Sequence, residues 1–477
     1  PSWEAQAFSI LPLIKDYLTD PFALMAFMPR LLVSFGLFLR CESSLDACGT
    51  AACPSSGHGL LQVEKAKGRQ GTTTTWASPY FMVSCPGTQV MTTQSMTEAE
   101  YDSIVAEVQG LYNSLPSTCT ATECPQADWA GCVLRMAGHD FMDYKDGEGG
   151  ADGCVDLTDP DNLGLKECLY EGEFGISIAD AYEHFCESVS LADFVVIAAE
   201  AVMAASREHV TAEDSSRSTI DFKSQFKFGR TTATTCEFAH GRLPNPERSC
   251  TAVKETFVDS MGLTWGQAAA LMGVHTLGRA HVNNSGYNGW WSSAQMSRNF
   301  NNDYFVSILA KGWAPEVAVE GNPAKNQWRR SDVGADEAVL GKEMMLNTDL
   351  CLAFSMDDAG AVELDAASAV EAECECAWGV PVAVSSATTK YEDGRFCGST
   401  NIPGSSDFRL QRALCCGAEF DQRSDAVIDC GLPITPKGPA YSSIRRFANN
   451  EDAWIRVFRA AWRIATGNGF SLRRLRS

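Results

Sequence analysis

The sequence predicts an all-α fold, and three stretches carry that expectation. Residues 97–114 open with Thr97 and Glu100 in capping-box spacing. They continue with apolar residues at Tyr101, Ile104, Val105, Val108 and Leu111, the period of a helix with one buried face. LADFVVIAAEAVMAA, from Leu191 to Ala205, is apolar almost all round and too short to span a bilayer, which predicts a central buried helix. The third stretch opens at Leu263 and Thr264, runs through Ala268, Ala269, Leu271 and Met272, and stops by Gly278, a residue suited to the left-handed end of a helix.

Composition bounds what surrounds these helices. A chain of 477 residues holds two or three domains, or one large helical domain with insertions, and 45% hydrophobic residues allow a sizeable core. With 38 basic against 60 acidic residues the net charge is −22, which argues against a nucleic-acid partner and against electrostatic docking to anionic lipid. The nineteen cysteines fall into three groups: 41–85, 119–250 and 351–430. None has zinc-ribbon spacing, so disulfides in an oxidising compartment are expected, with at least one cysteine unpaired within the chain.

In chain order, Pro21 to Leu39 is strongly apolar but broken by Pro29 and Arg30. A central charge costs about 2.5–3.5 kcal/mol in a spanning helix, so a contact with a protein partner or a membrane surface is expected instead. A signal remnant is the other option. Residues 41–96 form a cysteine-rich lead-in. In ADWAGCVLRMAGHDF, Arg135 and His139 are four apart and share a helix face. By spacing alone they are a surface pair on an amphipathic helix. His275, a single imidazole at the end of an apolar helix, suits an axial ligand of heme iron, but on spacing alone a lone histidine there is more often a packed core residue.

The surrounding motifs resolve this. ALMGVHTLGRAH and NSGYNGWW resemble the proximal-histidine segment of the plant–fungal–bacterial heme peroxidase superfamily, in its class I branch of cytochrome c and ascorbate peroxidases. The resemblance implies about ten helices in two halves around a buried heme b. It implies His275 as iron ligand, Asp349 in MLNTDLCL on the other ring nitrogen, and Trp291 sixteen residues beyond the ligand. His281 matches a residue near a heme propionate, and Arg279 is placed with it as cofactor-binding. A carboxylate on Nδ1–H would fix the ring and strengthen it as a donor. The helix bearing Arg135 and His139 resembles the distal helix, where imidazole moves a proton between peroxide oxygens and guanidinium steadies the developing charge. Asn162 in DNLGL then holds the distal histidine so that Nε2 stays free. One departure is Gly138, which stands where the family carries Trp or Phe.

GGADGCVDL is similar to the calcium segment of the secretory classes, which puts a structural calcium at Asp140, Gly150 and Asp152. Cys154 replaces the serine ligand there, and a thiol does not suit calcium. FKFGRTT and HGRLPNPE resemble the loop under the heme. Asn284 stands where the ascorbate branch has its substrate-holding arginine. Of that branch's potassium ligands, Thr276 and Ser292 match whereas Ala294 and Asn301 do not.

The expected organisation is an N-terminal extension at 1–96, a heme peroxidase core at 97–350, a cysteine-rich insertion at 351–445, and a closing helix with a basic tail at 446–477. The implied function is reduction of hydrogen peroxide through a ferryl intermediate by one-electron donors, in oxidative stress response. The alternative is a peroxidase-derived structural subunit of a larger assembly, with weak or no activity. The location expected is an oxidising organelle lumen (the thylakoid included) or the secretory route, with the mitochondrial intermembrane space as the alternative.

Overall fold

The capping box at Thr97 forms as the sequence requires. Thr97 Oγ1 accepts the Glu100 backbone N–H at 3.2 Å, and the Glu100 carboxylate accepts the Thr97 N–H at 2.7 Å. It starts α1, Glu98–Ser114, whose buried residues Tyr101, Ile104, Val108 and Tyr112 lie three or four apart. The computed structural model describes residues 79–170, 172–236, 241–311, 313–316, 318–330, 337–354 and 438–477. The apolar segment 21–39, and residues 355–437 of the insertion expected at 351–445, lie outside them. No helix among the described residues is long and apolar enough to cross a membrane.

Helix α2, Pro125–Met142, begins with proline in its first turn, where a missing N–H costs nothing. Helix α3, Leu191–Glu213, is capped by the Ser190 side chain and is buried almost all round. It runs past the expected end at Ala205, and its next charged residue is satisfied inside the protein. The buried Arg207 meets Glu451 at 2.8 Å and donates to the Ser218 and Phe300 carbonyls. α3 packs against both α1 and α2.

The second half is built around α4, Trp265–Met272, opened by a capping box of Thr264 and Gln267. A 3-10 turn, Gly273–Thr276, follows and carries His275, so the imidazole leaves from a tighter turn than the expected helix end. Gly278 then takes φ +76°, and a Cβ there would stand 3.0 Å from Gly131 Cα on α2. Only glycine lets the stretch after His275 press against the helix that carries Arg135 and His139. Helices α5, Asp303–Ala310, α6, Tyr441–Asn449, and α7, Glu451–Ala465, close this half, with α7 against α4 and α6 against α4, α5 and α7. Trp454 donates to the Ala270 carbonyl at 3.0 Å, fixing α7 on α4.

Strands are short and antiparallel: Lys227–Phe228 with Arg473–Arg474, Arg279–Ala280 with Gly289–Trp290, and a meander of Trp313–Glu316, Gln327–Arg330 and Met344–Met345. The architecture is therefore helical, as expected. The chain leaves and rejoins it at adjacent points around the insertion, where Gly438 and Ala440 donate to the Ala353 and Leu352 carbonyls, each at 2.9 Å.

All ten described cysteines are paired. Cys119–Cys124, Cys132–Cys168 and Cys154–Cys236 fall within the middle sequence group. Cys85–Cys186 and Cys250–Cys351 join that group to its neighbours.

Candidate active site

His275 is the centre of a dense proximal network. Its Nδ1 lies 2.9 Å from Asp349 Oδ1, and Tyr304 donates its hydroxyl to the same oxygen at 2.8 Å. The other oxygen, Oδ2, accepts Trp291 Nε1 at 2.9 Å and the Leu346 backbone N–H at 2.7 Å. Burial works to raise the Asp349 pKa, but His275 and these hydrogen bonds hold it below the ordinary carboxylate value. Burial and the neighbouring Asp349 push the Tyr304 phenol well up, so it remains a donor. The indole of Trp291 stacks on the His275 ring, centroids 4.2 Å apart and planes 20° from parallel.

With Nδ1 engaged by a carboxylate, His275 Nε2 is the nitrogen left to bind a metal, and it has no hydrogen-bond partner among the described residues. The imidazole keeps 29% of its surface open although Leu271, Met272, Thr276 and Leu277 around it are buried. On α2, a Cβ added at Gly138 would meet only the Met142 methyl, at 3.8 Å. One open imidazole nitrogen and unfilled space beside the distal pair fit the expected heme.

The distal side is organised by the short turn Pro160–Asn162. His139 Nδ1 lies 2.8 Å from Asn162 Oδ1, while Asn162 Nδ2 donates to the Asp156 carbonyl at 2.8 Å. The second bond fixes the amide, so its oxygen faces His139, Nδ1 carries the proton and Nε2 keeps its lone pair. Arg135 reaches the same turn, donating to the Leu163 carbonyl at 2.8 Å and to the Asp161 carbonyl. Burial, then the nearby Arg135 charge, pull the His139 pKa down to about 3, against the pull of its bond to Asn162. Burial brings Arg135 down to about 10, so at neutral pH the pair is a neutral base beside a cation. Cys132 of α2 is joined to Cys168, which staples this turn to the helix that bears both residues.

Next to His139, Asp140 accepts the backbone N–H groups of Gly153 and Cys154, each at 3.0 Å. Asp152 accepts the Cys154 N–H at 2.9 Å, and Asp143 accepts the Gly150 N–H at 2.6 Å. Burial pushes Asp143 up to about 7 and Asp152 to about 6; burial and the adjacent carboxylates raise Asp140 well above its ordinary value. Among the described residues no group of three or more His, Cys, Asp or Glu is arranged to hold a metal ion.

The remaining expected residues take other contacts. Arg279 pairs with Asp128 of α2 at 3.0 Å, donates to the Thr122 carbonyl, and lies 4.8 Å from the Trp290 ring centroid. His281 caps the turn Val282–Ser285, accepting the Asn283 N–H at 3.4 Å. Asn284 packs against Gly164, beside the distal turn. Thr276 donates to Asn301 Oδ1 at 2.8 Å, a polar pair within the protein.

Sequence reasoning missed Tyr304. The available signal was one hydroxyl at the start of the apolar helix DYFVSILA, which spacing alone does not connect to residue 349.

The family described as Peroxidase matches residues 116–368, just over half of the chain. The peroxisomal L-ascorbate peroxidase 5 of Arabidopsis thaliana is 30% identical over 224 residues, 46% of this chain and 68% of that protein. The mitochondrial cytochrome c peroxidase of Candida glabrata is 31% identical over 113 residues, 24% of this chain and 28% of that protein. The shared stretch is thus about two thirds of the first relative and under a third of the second.

Proposed function

The chain belongs to the peroxidase family and is a heme-dependent oxidoreductase acting on hydrogen peroxide, and from that premise we propose how its own residues divide the work. Heme, when bound, supplies the iron at which peroxide is reduced. His275 would hold it through Nε2, with Asp349 fixing the ring. His139 takes a proton from one peroxide oxygen at Nε2 and returns it to the other. Arg135 steadies the negative charge that grows as the O–O bond breaks. Trp291, stacked on His275 and bonded to Asp349, would be a side chain able to give up an electron from its indole. His281 would stand near a propionate of bound heme, and Arg279 acts by bracing α2 against the stretch that follows His275.

The observation that carries this reading is the pair of matched hydrogen bonds, His139 to Asn162 and His275 to Asp349. Stopped-flow mixing of the heme-loaded protein with peroxide tests it. His139→Ala is expected to slow the first step by about 10²–10⁴-fold, the usual worth of a general acid–base group. His275→Ala is expected to lose or alter the Soret band. An unchanged rate in the first variant and an unchanged band in the second would overturn these assignments. The structural subunit with weak or no activity is not favoured, since the family match comes with both the distal and the proximal hydrogen bonds in place.

The electron donor is a one-electron reductant that does not depend on the arginine of the ascorbate branch, because Asn284 stands there without charge. Steady-state turnover with ascorbate checks this, and saturation by ascorbate would contradict it. Calcium enters the proposal through Asp140, Asp152 and Gly150, since Cys154 is tied to Cys236 and offers no side-chain oxygen where the family has a serine; calorimetric titration with Ca²⁺ decides it. The five disulfides support an oxidising compartment, an organelle lumen or the secretory route. The relatives are named as peroxisomal and mitochondrial proteins, which supports an organelle. A protein or membrane-surface partner at residues 21–39 completes the proposal.

A further inference from the structure

Asp349 carries four donors, two on each oxygen. Trp291 and the Leu346 N–H share Oδ2, while His275 and Tyr304 share Oδ1 at 2.9 and 2.8 Å. Tyr304 is fully buried at the start of α5, and its ring stands edge-on to His275 with centroids 5.7 Å apart. We propose that Tyr304 is a positioning residue that tempers the proximal histidine, its hydroxyl competing with His275 Nδ1–H for Asp349 Oδ1. The inference rests on His275 being the iron ligand.

The physical chain is short. A carboxylate that accepts Nδ1–H pushes electron density onto the imidazole and makes it a stronger donor to the metal. A second donor on the same oxygen withdraws part of that charge, because a hydrogen bond to an ionised acceptor is strong and shares its negative charge. The imidazole then donates less to iron. Ferric iron, with one more positive charge than ferrous, loses more by this, so the reduction potential of the bound iron rises. Trp291 and the Leu346 N–H draw on the same carboxylate through Oδ2, and Tyr304 is the donor that shares Oδ1 with His275.

Tyr304→Phe removes one oxygen atom and keeps the ring in place. The expected result is a shift of the ferric/ferrous equilibrium toward ferric by about tenfold, the scale of one hydrogen bond to a charged group. For a one-electron couple that is about 59 mV lower. The iron–histidine stretching band of the ferrous form, read by resonance Raman, should move to higher frequency. Installing 3-fluorotyrosine at position 304 gives a more acidic phenol and a stronger donor, and should shift both readouts the opposite way. It also supplies the measurement if Tyr304→Phe does not hold heme. Potential and band unchanged in a heme-loaded variant would overturn the role of Tyr304 while leaving the peroxidase reading intact. A wild-type protein that binds no heme through His275 would overturn both, and the missing Soret band distinguishes that failure.

Discussion

One amide decides which nitrogen of His139 works. Asn162 Nδ2 is held by the Asp156 carbonyl, so its oxygen can only accept, and the proton of the imidazole is fixed on Nδ1. The i, i+4 spacing made the Arg135–His139 pair visible in the sequence, and the resemblance added Asn162. What neither showed is where Arg135 points, because its two acceptors are backbone carbonyls in a turn far along the chain. Carbonyls have no sequence signature. Gly138 shows the same limit from the other side, since its departure from the family was legible but the space around it was not. It lies within α2, a Cβ there meets one methyl at van der Waals distance, and glycine inside a helix is costly. Gly138→Ala is therefore expected to stabilise the protein by about 0.5–1 kcal/mol, read from the urea midpoint. A loss of stability would mean that the space beside His139 is already filled.

At the scale of elements, each half of the site is stapled by one disulfide. Cys132–Cys168 ties α2 to the segment just after the turn of Asn162, and Cys250–Cys351 ties down the residue two beyond Asp349. Cysteine counting indicated bridges, yet it could not pair them, because pairing follows three-dimensional proximity and not sequence grouping. Helix existence was legible from capping boxes and apolar spacing, whereas helix ends were less so. α3 continues past Ala205, and its buried arginine finds Glu451, more than two hundred residues away in the chain. His275 sits in a 3-10 turn because the chain tightens before Gly278 must meet Gly131. Replacing Cys132 and Cys168 by serine opens a loop with a sequence separation of 36. Loop-closure entropy puts the expected loss at about 3–4 kcal/mol, and the distal turn should loosen with it. Chemical denaturation gives the first quantity. Peroxide reaction with heme still bound gives the second, which should slow while the Soret band persists.

At the scale of the whole molecule, the first and last described helices meet at one buried carboxyl. Glu200 of α3 accepts Tyr101 of α1 at 2.7 Å and Trp462 of α7 at 2.9 Å. Burial, opposed by these two bonds and by Arg230 and Arg459, lifts its pKa from the ordinary 4.5 to about 7. The folded state therefore holds this proton more tightly than the unfolded chain. Such a group contributes stability that is complete below about pH 4.5, declines as pH rises and is gone above about pH 7. Asp140, Asp143 and Asp152 are raised as well and act with the same sign. Asp128 and Asp303 are raised too, whereas His139, lowered to about 3, and His209, also lowered by burial, act with the opposite sign as pH falls below their unfolded value; they are two groups against six. The protein should accordingly be more stable near pH 5 than near pH 8. Glu200→Gln keeps a neutral side chain of the same shape between the two rings and no longer titrates. It is expected to flatten the decline between pH 5 and pH 8 by about 2–3 kcal/mol, at about 1.4 kcal/mol for each unit of pKa difference. Denaturant midpoints of the two proteins at both pH values measure it, and an equal slope in wild type and variant would show that Glu200 is ionised in the folded state.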